Sequence, residues 1–289
     1  MKKNPLVTVI TPTYNRGAFL KETILSVLNQ DYPRIEHIIL DGNSQDNTKE
    51  VVKEFKDKIV WDSHKNRGEQ YAVNKGLRMA KGDIIGIINS DDPMLPGAIK
   101  EVVKTFSENP KIIGVYSDWI KIDENGKKLE KNILPEYSFL YMLKNYNMTP
   151  GPITFYRRDV VKKLKKRDEK FKYVSDFDFV LRAALIGDFK RIPKFLGTFR
   201  IHPGAATLKH RGFEMAMGHF RLLNKIYSSK KLPEEAKTVK KQAYFKAGEA
   251  ARISRGDNLF TKFIVSLVCL YYSPIPYLRL FISYRLKRN

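Results

Sequence analysis

Cysteine is nearly absent: Cys269 stands alone in 289 residues. A disulfide framework and a thiolate metal cluster are thereby excluded, and a reducing, cytosolic compartment is the expected setting. Acidic residues are scarce, 31 against 53 Lys and Arg, for a formal net charge of +22. No run approaches the ~18 apolar residues of a spanning helix, and no secretory signal pattern opens the chain. The Gly-x-Gly-x-x-Gly turn of a dinucleotide site and the Gly-x-x-x-x-Gly-Lys-[Ser/Thr] phosphate loop are both missing. There is no zinc spacing, RNA-recognition signature or continuous basic helix, so no nucleic acid is expected as a partner. Anionic lipid or phosphorylated substrates remain as partners for such a basic surface.

A hydrophobic fraction of 43% is enough for a buried core. The ordering stretch is Ile84-Ile85-Gly86-Ile87-Ile88, an unbroken apolar run that predicts a parallel strand covered on both faces. It leads through Asn89-Ser90 to Asp91-Asp92, and Pro93 and Pro96 then forbid further ladder pairing. Two adjacent carboxylates repel unless a cation joins them. Hard oxygen ligands suit Mg²⁺ or Mn²⁺, although a solvated Asp-Asp-Pro turn fits the same tripeptide.

Before this strand the pattern alternates. Strands are expected at 6–10, 35–40 and 59–61, with helices over 17–30, from 46 through Phe55, and over 70–80. Asp46-Asn47-Thr48 supplies caps for the second helix. Short connections between such elements predict an α/β doubly wound sheet with parallel strands. Thr11, Asp41, Asn43 and the Asp91-Asp92 pair follow strands and so share the ligand-binding rim of the sheet.

Five segments carry a resemblance: Val9-Ile10-Thr11-Pro12-Thr13-Tyr14-Asn15-Arg16, Ser26-Val27-Leu28-Asn29-Gln30, Asp41-Gly42-Asn43-Ser44-Gln45-Asp46-Asn47-Thr48, Asn66-Arg67-Gly68 with Ala72-Val73-Asn74-Lys75-Gly76, and Asn89-Ser90-Asp91-Asp92 with Leu95-Pro96-Gly97. In this order they closely resemble family 2 glycosyltransferases over about residues 5–205. The resemblance implies a GT-A-type, mostly parallel sheet with helices on both faces. It also implies transfer, with inversion, from a nucleotide diphosphate sugar. Asp41 matches the acid that accepts from a ring N–H of the donor base, as in uracil, with a helix-capping or turn Asp as the alternative. Thr11, Pro12, Tyr14 and Asn15 match the base-pocket loop, Tyr14 also fitting a core or turn role. Asn43, Arg67, Asn74 and Ser90 complete the donor set, with Arg67 toward ribose or phosphates. Asp91-Asp92 match the family's Asp-x-Asp pair, with Ser90 where many relatives carry an acid. That departure makes Asp92 the expected metal ligand and Asp91 the ribose neighbour.

Further on, helix 99–106 and strand 112–117 precede a turn signal at Asp123-Glu124-Asn125-Gly126. Residues 127–150 read as an irregular, mobile acceptor-side loop, and 153–156 as a strand. Val174-Ser175-Asp176-Phe177-Asp178 resembles the family's acidic motif opening a helix. An inverting displacement needs one base for the acceptor hydroxyl's proton. Asp176 is the candidate, or else an N-cap, while Asp178 is expected to pair with Arg182 at i+4. Arg200 and His202, in the Phe199–Thr207 stretch, match an Arg-x-His pattern. Arg200 is assigned to phosphate, and His202 to metal or diphosphate.

The expected organisation is a catalytic domain over 1–207 and a helical region over 208–289. Residues 5–117 are expected to bind the nucleotide sugar, and 118–207 to carry the acceptor side and the base. Helices are expected over 215–227, 234–255 and 259–272, and Tyr277–Arg285 follows two prolines. Aromatics, aliphatics and Arg or Lys interleave at this end, as in interfacial helices on anionic membrane surfaces; packing on a partner chain is the alternative. The whole reads as a peripheral enzyme on the inner face of the plasma membrane. It would use a UDP-sugar and Mn²⁺ or Mg²⁺ on a glycan or lipid-linked acceptor for surface polysaccharide. A non-catalytic nucleotide-sugar-binding relative and a polyanion-binding scaffold are the competing classes.

Overall fold

The computed structural model describes residues 4–205, 212–254, 256 and 258–272. Ala206, Thr207, the helix end at Arg255 and the Tyr277–Arg285 segment lie outside the described residues. The chain divides into two compact units.

The first unit, residues 1–137, 149–169 and 186–202, holds the sheet. Its strands are β1 (Val7–Thr13), β2 (Ile35–Asp41), β3 (Val60–Ser63), β4 (Ile84–Ile87), β5 (Gly114–Ile122), β6 (Lys128–Asn132), β7 (Thr154–Arg157) and β8 (Phe189–Arg200). They run in the order β3-β2-β1-β4-β7-β5-β6, with β8 on β5. β3, β2, β1 and β4 are mutually parallel, as the alternating pattern requires, and β5 and β8 form another parallel pair. β7 joins the two groups antiparallel to both. The register brings Thr13, Asp41 and Ser63 side by side at the carboxyl ends of β1, β2 and β3.

Helices α1 (Gly17–Leu28), α2 (Thr48–Lys53), α3 (Glu69–Met79), α4 (Ala98–Glu108) and α6 (Arg158–Leu164) also belong to this unit. α4 sends Ile99, Val102, Val103 and Phe106 into a core with Val7, Ile84 and Phe155, while α1 and α2 meet Ile39 through Leu20, Ile24, Val51 and Val52. Burying such side chains contributes ~1.5–3 kcal/mol each. Gly86 is required in β4 because a Cβ there would lie 2.3 Å from the Phe155 ring.

The expected irregular loop over 127–150 is corrected. Residues 128–132 form β6, a hairpin partner of β5, because the turn closes with Gly126 N–H donating to Asp123 O. Residues 139–145 form helix α5 (Phe139–Asn145), whose N-cap Ser138 accepts from Tyr141 N–H and whose Met142 and Leu143 are buried. Expectation also missed β8 as a strand. Its skipped residues, Pro193 and Lys194, fall at a register shift opposite Ser117–Asp118, where a residue without an N–H is tolerated.

The second unit is helical and comprises residues 138–148, 170–185 and 203–289. It contains α5, α7 (Ser175–Ala184), α8 (Phe213–Tyr227), a 3₁₀ turn (Glu234–Val239), α9 (Lys240–Ser254) and α10 (Leu259–Tyr272). The first turn of the expected 234–255 helix is thus 3₁₀. Ala243, Ala247 and Ala251 are buried along α9, as a close-packed hairpin requires. Tyr244 stacks on Tyr272 at 4.3 Å and Phe220 on Tyr272 at 5.5 Å. Among the described residues no helix is long and apolar enough to cross a membrane.

Candidate active site

The carboxyl end of β4 delivers the acidic pair. Ile88 N–H donates to Ile10 O, extending the β1 pairing one residue beyond β4, and Asp92 N–H donates back to Asn89 O to form a tight turn. The turn aims the two carboxylates differently. Asp92 is 2% exposed: its Oδ1 accepts from Arg200 N–H at 2.8 Å, and its Oδ2 accepts from Asn89 Nδ2 at 3.0 Å. Asp91 keeps its carboxylate partly exposed, with Oδ2 3.0 Å from His202 Nε2 and 3.6 Å from Arg16 Nε. Burial, and then the neighbouring Asp91 charge, hold the Asp92 carboxyl well above the usual carboxylate range. Geometrically, then, Asp91 and not Asp92 is the acid facing His202.

Arg200 ends β8 with its guanidinium turned inward. Nε donates to Asp91 O at 3.0 Å, Nη1 to Asp123 O at 3.1 Å and Glu124 O at 3.0 Å, and Nη2 to Glu22 on α1. At 3% exposure it staples the acidic turn, the β5–β6 turn and α1 together. Four of its five N–H donors are thus engaged, three by backbone carbonyls and one by a carboxylate. Phe19 sits between the two basic groups, 5.1 Å from Arg200 and 4.6 Å from the His202 ring.

At the ends of β1 and β2 the loops lock each other. Asn15 N–H donates to Ser44 Oγ, Gln45 N–H donates to Asn15 Oδ1, and Gly17 N–H donates to Asp46 Oδ2. Asn15 and Asn43 both adopt left-handed backbone, φ 51° and 58°, which Asn tolerates better than most residues. Asp41 is fully buried; Oδ1 accepts from Ser44 N–H and Oγ, and Oδ2 accepts from Ser63 Oγ at 2.9 Å. A carboxylate has about four acceptor sites, and these donors fill three of them. Tyr14 is 45% exposed beside Gly42, where a Cβ would lie 3.2 Å from its ring.

The remaining expected residues divide. Pro12 is buried in β1, and Ser90 O accepts from Thr23 Oγ1 at 3.0 Å. Arg67 is exposed and lies over the Tyr71 ring at 4.4 Å, and Asn43 Oδ1 accepts from Lys49 Nζ. Two residues are turned into the interior. Thr11 is fully buried with Oγ1 3.0 Å from His37 Nε2. Asn74 is 1% exposed; it donates to Arg167 O and Glu169 Oε1 and accepts from Arg167 N–H. Its carboxamide thereby clamps residues 167–169 onto α3, a role that spacing alone could not reveal. Arg16, Glu22 and Asn89 were missed; their only signal was their position inside or beside the quoted motifs.

In the helical unit, Asp176 occupies the first turn of α7, half-buried, with Oδ1 accepting from Phe177 N–H at 2.8 Å. Asp178 pairs with Arg182 at 2.8 Å, as spacing predicts, and with Lys225 at 2.6 Å. The buried Tyr146 hydroxyl lies 2.9 Å from His219 Nδ1, and burial followed by the Asp176 charge raises the Tyr146 pKa.

Among the described residues no group of three or more His, Cys, Asp and Glu could hold a metal ion. The donor set nevertheless fits one. A carboxylate and an imidazole 3.0 Å apart, beside a second carboxylate that resists ionisation, suit a divalent ion of the Mn²⁺ class. Such ions commonly take one or two protein ligands and complete their shell from water and substrate phosphates.

The sequence profile described as Glycosyl transferase family 2 matches residues 8–173. An uncharacterized glycosyltransferase of Methanocaldococcus jannaschii is 33% identical over 209 residues, 68% of this chain and 71% of that protein. Staphylococcus aureus TarS 1–349, solved in complex with UDP-GlcNAc, superposes with a TM-score of 0.75 at 18% identity, over 94% of this chain and 82% of that one. The mannosyltransferase PcManGT of Pyrobaculum calidifontis, solved with GDP-Man and Mn²⁺, superposes at 0.65 and 18% identity, over 99% of this chain and 81% of that one. At that identity the two structures establish the fold, a GT-A-type mostly parallel sheet with helices on both sides. Together with the profile and the archaeal relative, they lead to one conclusion: this chain belongs to glycosyl transferase family 2 and is a glycosyltransferase.

Proposed function

We propose that the enzyme transfers a sugar, with inversion, from a UDP-sugar to a hydroxyl of a glycan or lipid-linked acceptor in surface polysaccharide synthesis. The observation that carries the reading is the Asp91–His202 pair, 3.0 Å apart at the carboxyl end of a central parallel strand. Asp91 and His202 would hold the divalent cation, with Asp92 behind them. When bound, that ion supplies Lewis-acid neutralisation of the departing diphosphate.

Every other role falls to the chain's own side chains. Tyr14 offers an exposed aromatic face to the base, and Asp41 accepts from its ring N–H with its remaining lone pair. Arg16, already beside Asp91, and Arg67 contribute positive charge toward ribose and phosphates, and Asn15 and Asn43 shape the loop around them. Thr11, Pro12, Asn74, Ser90 and Arg200 act by positioning. Asp176 takes the acceptor hydroxyl's proton as the new bond forms; one carboxylate suffices for a single displacement. Residues 5–117 hold the donor in this reading, and 118–207 supply the acceptor side. The UDP choice is supported by the TarS complex; the metal choice by the donor set and the PcManGT complex.

The test is a transfer assay on Asp176→Asn. The variant should bind UDP-sugar with Mn²⁺ as the parent does and lose at least ~100-fold in transfer. Transfer at the parent rate would remove Asp176 from the mechanism.

A further inference from the structure

Helix α10 buries only one of its faces. Thr261, Val265 and Cys269 are buried, four residues apart, and Gly248 of α9 lets the Cys269 sulfur come within 3.1 Å of where a Cβ would stand. At roughly 100° per residue the opposite side is centred on Phe263 and Leu267 and flanked by Leu259, Phe260 and Tyr271. These five are exposed by 61%, 47%, 81%, 68% and 80% respectively. A helix apolar all round is ordinarily covered all round, and a contiguous exposed patch of this kind marks an interaction site. The stripe does not stop at α10. It runs into a groove of about 380 Å³ lined by Met217, Phe220 and Arg221 of α8 and Leu267, Val268 and Tyr271 of α10.

Charge selects the occupant. α10 contains no acid and carries Lys262, its groove is lined by Arg221, and the chain as a whole bears a formal net charge of +22. Two copies meeting through this face would bring like charges together, whereas an anionic bilayer is complementary to it. Aromatic and aliphatic side chains on one side of a helix, with cations in the same segment, suit insertion at the headgroup–acyl boundary. We propose that the α10 face, together with its groove, docks on the surface of an anionic phospholipid bilayer. This inference concerns where the enzyme sits and does not depend on the identity of its donor.

The experiment is co-sedimentation of the full chain with vesicles of phosphatidylcholine alone or of equal parts phosphatidylcholine and phosphatidylglycerol. Phe260→Ser/Phe263→Ser is the paired variant; both side chains are mostly exposed, so its melting temperature should match the parent's. The parent should pellet with the anionic vesicles, weakly with the neutral ones, and less as salt rises. The variant should partition ~100-fold more weakly. A parent that stays in the supernatant with anionic vesicles, or a variant that pellets as the parent does, would overturn the proposal. So would sedimentation equilibrium showing a dimer that the variant dissolves while the parent binds no vesicle.

Discussion

Replacing Arg200 by Lys separates two roles for this residue, stapling and phosphate binding. Its guanidinium donates to three backbone carbonyls, Asp91 O, Asp123 O and Glu124 O, and to the Glu22 carboxylate. Hydrogen bonds to a charged group are worth about 1.5–3 kcal/mol each. The Glu22 side chain is 55% exposed, so that pair is discounted to under ~1 kcal/mol. An ammonium lacks the planar fork and can reach one or two of these acceptors, which leaves about two part-buried carbonyls short. The net loss is then ~3 kcal/mol, a large share of the ~5–15 kcal/mol that stabilises a typical native protein. For a chain of this size it corresponds to a fall in melting temperature of roughly 6–12 °C. The assay is thermal unfolding beside donor kinetics, each at saturating Mn²⁺. Unchanged melting with a raised donor KM would refute the staple and return Arg200 to the phosphates.

Two further perturbations probe the frame around the site. Gly86→Ala should cost ~2–3 kcal/mol, because the new methyl would lie 2.3 Å from the Phe155 ring in a packed central strand; urea unfolding at the parent's midpoint would contradict it. Stability should also fall with pH through two histidines. Burial lowers His37 from 6.5 to about 3 and His219 from 6.5 to about 4. Both are neutral when folded, so their contribution is intact above pH 6.5, where the unfolded chain is neutral too. It is lost as pH falls toward the folded values, by ~2 kcal/mol each at pH 5. His37→Gln should flatten that slope, and a parent-like pH profile would refute the burial argument.

What could be read from the sequence followed from how evenly each segment was buried. β4 is apolar at every position and α4 carries a clean amphipathic stripe, so both announce themselves. The long strand β8 did not, because Phe-Lys-Arg-Ile-Pro-Lys-Phe-Leu interrupts alternation at the very residues the bulge later skips. β6 is exposed almost throughout and α5 is seven residues long, so neither leaves a period to detect. At the site, motif order brought Asp91, Asp92, Arg200 and His202 together, but not their orientations. Which acid faces out, and that Arg200 and Asn74 turn their donors onto neighbouring carbonyls and carboxylates, depend on side-chain rotamers. Spacing carries no trace of these.

The most direct test of the account is a thermal-shift titration of UDP-sugars with and without Mn²⁺, run on the parent and on Asp91→Asn. A ligand bound only by the native state raises the melting temperature by mass action, ~2.7 kcal/mol at a hundredfold excess over Kd. The parent should show a shift that needs both UDP-sugar and Mn²⁺, and Asp91→Asn should lose it while melting near the parent temperature without ligand. An equal shift in Asp91→Asn, or none in the parent with any UDP-sugar, would contradict the proposed metal-assisted donor site.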